Sequence, residues 1–254
     1  MKFIEKTFGH RVVSQVKYDS KEQKKRECHH ETRKGVLDEI KQWTDTYSDA
    51  KNCWWITGKP AVGKSTIGAK AAETFEDEKS LYAQYFVTRS IAATTDPENL
   101  LPTMAQQLAE NSVFAAQAIE DKLRTTLLSD VKKFSYCQVQ VLLLEPLRAI
   151  AQYAPKVMVV IDGVDEFANA EPSVLSKVTS VLCSIMLDLP RAAHRNRILR
   201  FVRYGCTGKT PVPSSPQTCE LTAVILTAVN RIETVNFSRI TASYGYTGAC
   251  SVIS

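Results

Sequence analysis

The stretch CWWITGKPAVGKST, residues 53–66, passes from an apolar run into a loop bracketed by two glycines. Cys53–Thr57 reads as a short buried strand ending at Gly58, and Ser65–Phe75 has helical composition. Between them, Gly58, Gly63, Lys64 and Ser65 meet every fixed position of the pattern GxxxxGK[ST]. Glycines let successive backbone N–H groups turn inward toward phosphate oxygens, and the following helix points the positive end of its dipole at them. The expected cradle is Gly58, Pro60, Ala61, Val62, Gly63, Lys64, Ser65 and Thr66. Lys64 is expected to reach the β- and γ-phosphates of a nucleotide, and the Ser65 hydroxyl to sit on Mg²⁺. An ordinary strand-turn-helix corner is the competing interpretation; the complete motif between an apolar strand and a helix disfavours it. The GKT at 208–210 is no rival, because Arg203 stands where its first glycine is needed.

A second corner lies a hundred residues on. Lys156–Ile161 (KVMVVI) reads as a fully apolar strand of the buried parallel type, and Asp162, Asp165 and Glu166 follow it directly. Open α/β sheets bind ligands beyond the carboxyl ends of their strands. If both strands share one sheet, Asp162 is placed to hold Mg²⁺ directly or through a water. Either Asp165 or Glu166 could polarise a water attacking in line with the γ-phosphate. Spacing alone does not choose between them. A strand ending in a polar turn is common, so this cluster gains its weight from the glycine loop.

The rest of the chain supplies an alternation of elements. Val36, Leu37, Ile40 and Trp43 share a helical face after Thr32. Leu81–Thr88 reads as a strand, and Asp96-Pro97 opens a helix with Leu100, Leu101, Met104 and Leu108 on one side. Helices are expected over Val113–Leu127, Gln138–Gln152 and Pro172–Leu187, and one more strand over Arg197–Val202. Strands alternating with helices predict an α/β fold, a parallel sheet covered on both faces. Lys21–Glu27 (KEQKKRE) reads as a solvated connector. After Tyr204, Pro211, Pro213 and Pro216 break regular structure, and no periodicity follows.

Composition excludes several classes. At 254 residues, 44% hydrophobic and 23% charged, the chain suits one large globular core. Its net charge of +5 is local: residues 191–254 carry eight Lys/Arg against two Asp/Glu. A basic tail on a neutral body argues against specific nucleic-acid binding. Seven scattered cysteines without a CxxC pair suggest neither disulfide framework nor zinc site, and fit a reducing, cytoplasmic setting. Cys28, His29 and His30 lack a partner at ligand spacing. No apolar run has the length of a signal peptide core or a membrane span.

The motifs together resemble the NACHT NTPase domains of the signal-transducing P-loop ATPases, most closely the fungal NOD-like receptor, nephrocystin-like branch. The resemblance covers about residues 28–202. It rests on Cys28, Thr32-Arg33, Val36-Leu37, Ile40 and Trp43, and on GKPAVGKST. FVTRS at 86–90, DPENLLPTMAQQLAE at 96–110, LLLEPL at 142–147 and VMVVIDGVDE at 157–166 complete it. It implies a P-loop NTPase domain over 31–202, preceded by a linker over 1–30 and followed by a divergent, irregular tail over 203–254. It also implies an ATP or GTP switch with Mg²⁺, and association with itself or related NACHT subunits. Lys64, Ser65, Asp162 and Glu166 inherit the roles given above, and Thr32-Arg33 matches a segment near the base. Arg89 could approach phosphate, although a surface arginine is the commoner case.

One departure matters. Similar domains follow the last strand with Thr-Ser-Arg-Pro, whose arginine senses the γ-phosphate; here Val202-Arg203-Tyr204-Gly205 stands instead. Losing one such donor typically costs about 10²–10³ in rate, so hydrolysis is expected to be weak or absent. A truncated or misspliced product, with 203–254 outside the original frame, is the matching expectation. A non-catalytic fragment that binds partner subunits through a sheet edge or its tail is the alternative.

Overall fold

The computed structural model describes residues 2–21, 33–45, 53–56, 62–127, 131, 134–169, 196–201 and 251–253. The expected helix over Pro172–Leu187, the connector from residue 22 onward and most of the tail lie outside them.

The strands are β1 (Cys53–Ile56), β2 (Leu81–Phe86), β3 (Val157–Asp162), β4 (Asn196–Phe201) and β5 (Ser251–Ile253). They form one sheet in the order β2-β3-β4-β1-β5, with every pairing parallel. The helices are α1 (Lys2–Phe8), α2 (Lys34–Asp45), α3 (Lys64–Asp77), α4 (Ala92–Thr95), α5 (Leu100–Asn111), α6 (Val113–Thr125), α7 (Tyr136–Val139) and α8 (Glu145–Ala151).

Period-two alternation along β3 sorts the core into two layers. Val157, Val159 and Ile161 face α5, α6 and α8, while Met158 and Val160 face α2 and α3. The first layer takes in Leu100, Leu101, Met104 and Leu108, all fully buried, as their spacing predicts. The second takes in Ile40 and Trp43 of α2 with Ile67, Ala71, Ala72 and Phe75 of α3. In β2 the register shifts between Leu81 and Ala83. This irregularity puts neighbours Tyr82 and Ala83 on the same layer, which strict alternation forbids.

The expected helix over Gln138–Gln152 is three pieces in series: α7, a π-helical turn over Gln140–Leu144, and α8. Pro146 is the reason. It has no N–H to give and its ring crowds the carbonyl of residue 142, so the turn before it widens. The Glu145 N–H accordingly donates five residues back, to Gln140 O. Widening also lets Val141, Leu142, Leu143 and Leu144 all be buried in succession.

The N-terminal stretch is more than a connector. Ile4, Phe8, Val13 and Val16 enter the first core layer. The Val13 N–H donates to Thr103 Oγ1 at 3.1 Å, and the Tyr18 N–H to Gln84 Oε1 at 3.0 Å. The charge pattern of this stretch masks its four apolar residues: Ile4 and Phe8 are one helical turn apart in α1, and Val13 and Val16 follow outside it. At the other end, Ser251–Ile253 pairs with β1, a strand for which the sequence carries no signal.

β2 is an edge strand, and α5 closes it. Gln107 accepts the Gln84 N–H through Oε1 and donates Nε2 to Gln84 O, both at 2.9 Å, while Asn111 Nδ2 donates to Tyr82 O at 3.0 Å. A side-chain amide here does what a neighbouring strand would do, and blocks edge pairing. Gln107→Leu leaves the buried N–H and C=O of Gln84 unmatched, each worth about 1–3 kcal/mol. We expect a loss of about 2 kcal/mol or more in urea unfolding. A loss below about 0.5 kcal/mol would mean that water replaces the amide.

Four groups that titrate near pH 10 make the fold sensitive to alkali: Tyr18, Tyr85, Lys156 and Tyr82, whose phenol is raised by burial. Burial raises the Tyr85 phenol; burial and the hydrogen bond to Glu76 raise that of Tyr18. Burial works to lower the Lys156 ammonium, but its hydrogen bonds to Glu78 and Asp45 outweigh that and raise it. In each case the folded state keeps a proton that the unfolded chain releases above about pH 10. Their contribution is therefore complete below that pH and is lost as pH rises past it. The urea midpoint is expected to fall steadily from pH 9 to pH 11; a flat or rising midpoint contradicts the assignment.

Candidate functional site

Both sequence corners open at one edge of the sheet. Asp162 ends β3 and is level with Phe201 of β4, which is level with Ile56 at the end of β1. A single strand, β4, separates β3 from β1, so the two backbones stand about 10 Å apart at the usual strand spacing. Because all strands run the same way, β1 and β3 end on the same side of the sheet.

Thr32, Gly58, Pro60 and Ala61 lie outside the described residues. Val62, Gly63, Lys64, Ser65 and Thr66 lie within them and lead into α3. Gly63 caps the helix with φ of 85°, a left-handed conformation that costs glycine little. Its carbonyl accepts the N–H groups of Thr66 and Ile67 at 3.1 and 3.0 Å. The first N–H groups of a helix have no intrahelical acceptor, and a glycine cap brings no side chain to meet them. Lys64 opens α3 and is buried, 4% exposed; Ser65 and Thr66 are half-buried. Arg33, just before α2, lays its guanidinium against Gly63.

The acidic turn is held as tightly. Gly163 has φ of 76°, and a Cβ there would stand 3.0 Å from Val87 O, so both conformation and space demand glycine. The Val87 N–H donates to Asp162 O at 3.0 Å, and the Glu166 N–H to Gly163 O at 2.7 Å. Asp162 and Glu166 are buried, at 2% and 4% exposure, and Asp165 is half-buried. Glu166 Oε2 accepts the backbone N–H of Arg89 at 2.9 Å. This ties the turn after β3 to the loop after β2. The Arg89 side chain is exposed.

Charge burial singles this region out. Among the described residues, the buried charged side chains are Lys64, Asp162 and Glu166. Charged groups are rarely buried without compensation, because desolvation costs several kcal/mol per ion. A buried ammonium at a helix N-terminus can meet an anion, and a buried carboxylate at the end of a strand can meet a cation. No cluster of three or more His, Cys, Asp and Glu suited to a metal occurs among the described residues. Mg²⁺ does not need one, since it is usually held by one or two carboxylates together with phosphate oxygens and water.

Two contacts escape sequence reasoning. The guanidinium of Arg33 on Gly63 joins positions thirty residues apart with no motif linking them. The Arg89 N–H on Glu166 is a backbone contact, which side-chain chemistry cannot announce.

The fold and site define a parallel α/β protein with a glycine-capped helix and an acidic turn after a buried strand. The chain belongs to the family described as nephrocystin 3, N-terminal, whose model matches residues 32–199. Comparison with curated proteins gave no match. Among the described residues no helix is long and apolar enough to cross a membrane.

Proposed function

We propose that this chain binds a purine nucleoside triphosphate, ATP or GTP, with Mg²⁺, as a NACHT-type P-loop NTPase core of a signalling protein. The observation that carries the proposal is the burial of Lys64, Asp162 and Glu166, and of no other charged side chain among the described residues, in segments that follow strands of one parallel sheet. A triphosphate with its metal carries both kinds of charge that such groups bind, phosphate oxygens for an ammonium and a cation for a carboxylate. The α3 N-terminus and Lys64 bind the phosphates, and Ser65 and Asp162 hold the cation. When bound, the cation neutralises charge on the phosphate oxygens and fixes the orientation of the γ-phosphate.

Of the two carboxylates open to the attacking water, we assign Glu166. Its burial removes competing solvent, and the Arg89 N–H fixes the position of its carboxylate. Hydrolysis is weak or absent in this proposal, because no arginine follows β4 in the Thr-Ser-Arg-Pro context of similar domains. The setting is cytoplasmic, and nucleotide state would govern association with copies of itself or related subunits. An interaction fragment working through a sheet edge is less favoured, since α5 already occupies the β2 edge.

Calorimetric titration of ATP, ADP and GTP, each with and without Mg²⁺, tests the proposal. Mg²⁺-enhanced binding of a triphosphate is expected. Absence of binding by all three would overturn it.

A further inference from the structure

We propose that Thr94 is a positioning residue for Glu166: its buried hydroxyl holds the loop after β2 in the course that presents the Arg89 N–H to the Glu166 carboxylate. The inference rests on the nucleotide reading above, which assigns Glu166 to the attacking water.

The pairing of β2 with β3 ends at Phe86, level with Asp162, and the Val87 N–H adds a bond to Asp162 O at 3.0 Å. Backbone groups further on need other partners. Thr94, in α4, supplies them for Thr88. Its Oγ1 accepts the Thr88 N–H at 2.9 Å. It also lies 3.0 Å from Thr88 O and 2.9 Å from Ile91 O, either of which can take its proton. Arg89 is next, and its N–H donates to Glu166 Oε2 at 2.9 Å.

This order of bonds is that of a strand. Along extended backbone, successive N–H groups point to opposite edges, and the N–H and C=O of one residue point to the same edge. Val87 bonds to β3, Thr88 bonds to Thr94 through both its groups, and Arg89 bonds to the acidic turn that follows β3. One hydroxyl thus replaces a neighbouring strand at Thr88, and the direction of the next N–H follows from it. Thr94 is fully buried, so water does not stand in for it; Arg89 and Ser90 are exposed and have little packing of their own. A threonine serving only its own short helix would bond three residues back and no further, as Thr95 Oγ1 does with Ala92 O at 3.0 Å. Thr94 reaches back six. Its own carbonyl is held in turn by the Tyr85 hydroxyl at 3.2 Å. A carboxylate that orients a water must keep its place to within about half an ångström, which gives such a clamp a purpose.

The test uses the full chain and its Thr94→Val and Thr94→Ser variants, with hydrogen exchange followed at the Val87 and Arg89 amides. Thr94→Val is expected to speed exchange at Arg89 about tenfold or more, while Val87 keeps its protection. Thr94→Ser, which retains the hydroxyl, should leave both amides unchanged. In single turnovers of Mg²⁺-ATP, the valine variant should cleave about ten- to a hundredfold more slowly at unaltered nucleotide affinity, and serine should restore the rate. Equal loss of protection at both amides would make Thr94 a prop for the sheet and overturn the inference. Unchanged protection at Arg89, or slowed cleavage that serine does not restore, would overturn it too. If the valine variant does not fold, Thr94→Ala is read by the same criteria. If the unaltered chain binds Mg²⁺-ATP without cleaving it, the two amides decide. Failure to bind Mg²⁺-ATP at all refutes the nucleotide reading, while the amides still report whether Thr94 holds the loop, so the two failures stay separate.

Discussion

Lys64→Ala is expected to abolish measurable nucleotide binding, a loss of at least about a hundredfold. Lys64 is 4% exposed in the first turn of α3, where the positive end of the helix dipole favours an anion. With a triphosphate present, the same ammonium makes charge-assisted contacts with phosphate oxygens, worth about 1.5–3 kcal/mol each. Thermal melts with and without Mg²⁺-ATP read the effect: the ligand-induced rise in the midpoint should vanish. A variant that melts early and still shows the full rise would make Lys64 a structural residue.

Asp162→Asn should act on the metal alone. Asp162 is buried at the carboxyl end of β3, and its backbone oxygen, which accepts the Val87 N–H, survives the change. The amide keeps the volume but loses the negative charge that Mg²⁺ requires. Apparent Mg²⁺ affinity in the presence of ATP is expected to fall about ten- to a hundredfold. Metal-free ATP binding should stay level or improve, since a carboxylate near the phosphates repels them. Equal loss with and without Mg²⁺ would place Asp162 in the fold and not at the cation. The pair of variants thus divides the site: residue 64 governs both conditions, residue 162 only one.

The sequence made the strands and helices around the site legible because their signals are local. Four buried positions on one side of α5 and an unbroken apolar β3 allow no other arrangement, and the glycine before Lys64 marks the corner. What remained hidden depends on distant partners. The burial of Ile4 and Phe8 follows from a surface offered by α5, a hundred residues away. Gln107 looks like any polar helix residue until β2 proves to be the sheet edge beside it. Pro146 was in plain view, yet its effect, a widened turn in place of a break, depends on the surrounding packing that holds both halves in line. The acidic turn was readable as chemistry, whereas its fastening to Arg89 was not.

The contribution of Phe8 and Val16 to the same core as α5 also bears on how relatives are compared. Similarity across the family begins at residue 32, but the cooperative unit begins earlier. A boundary drawn by homology would cut through the hydrophobic interior and strand half of an interlocking pair. A fragment trimmed to residues 32–199 would expose to water the face of α5 that Ile4 and Phe8 cover.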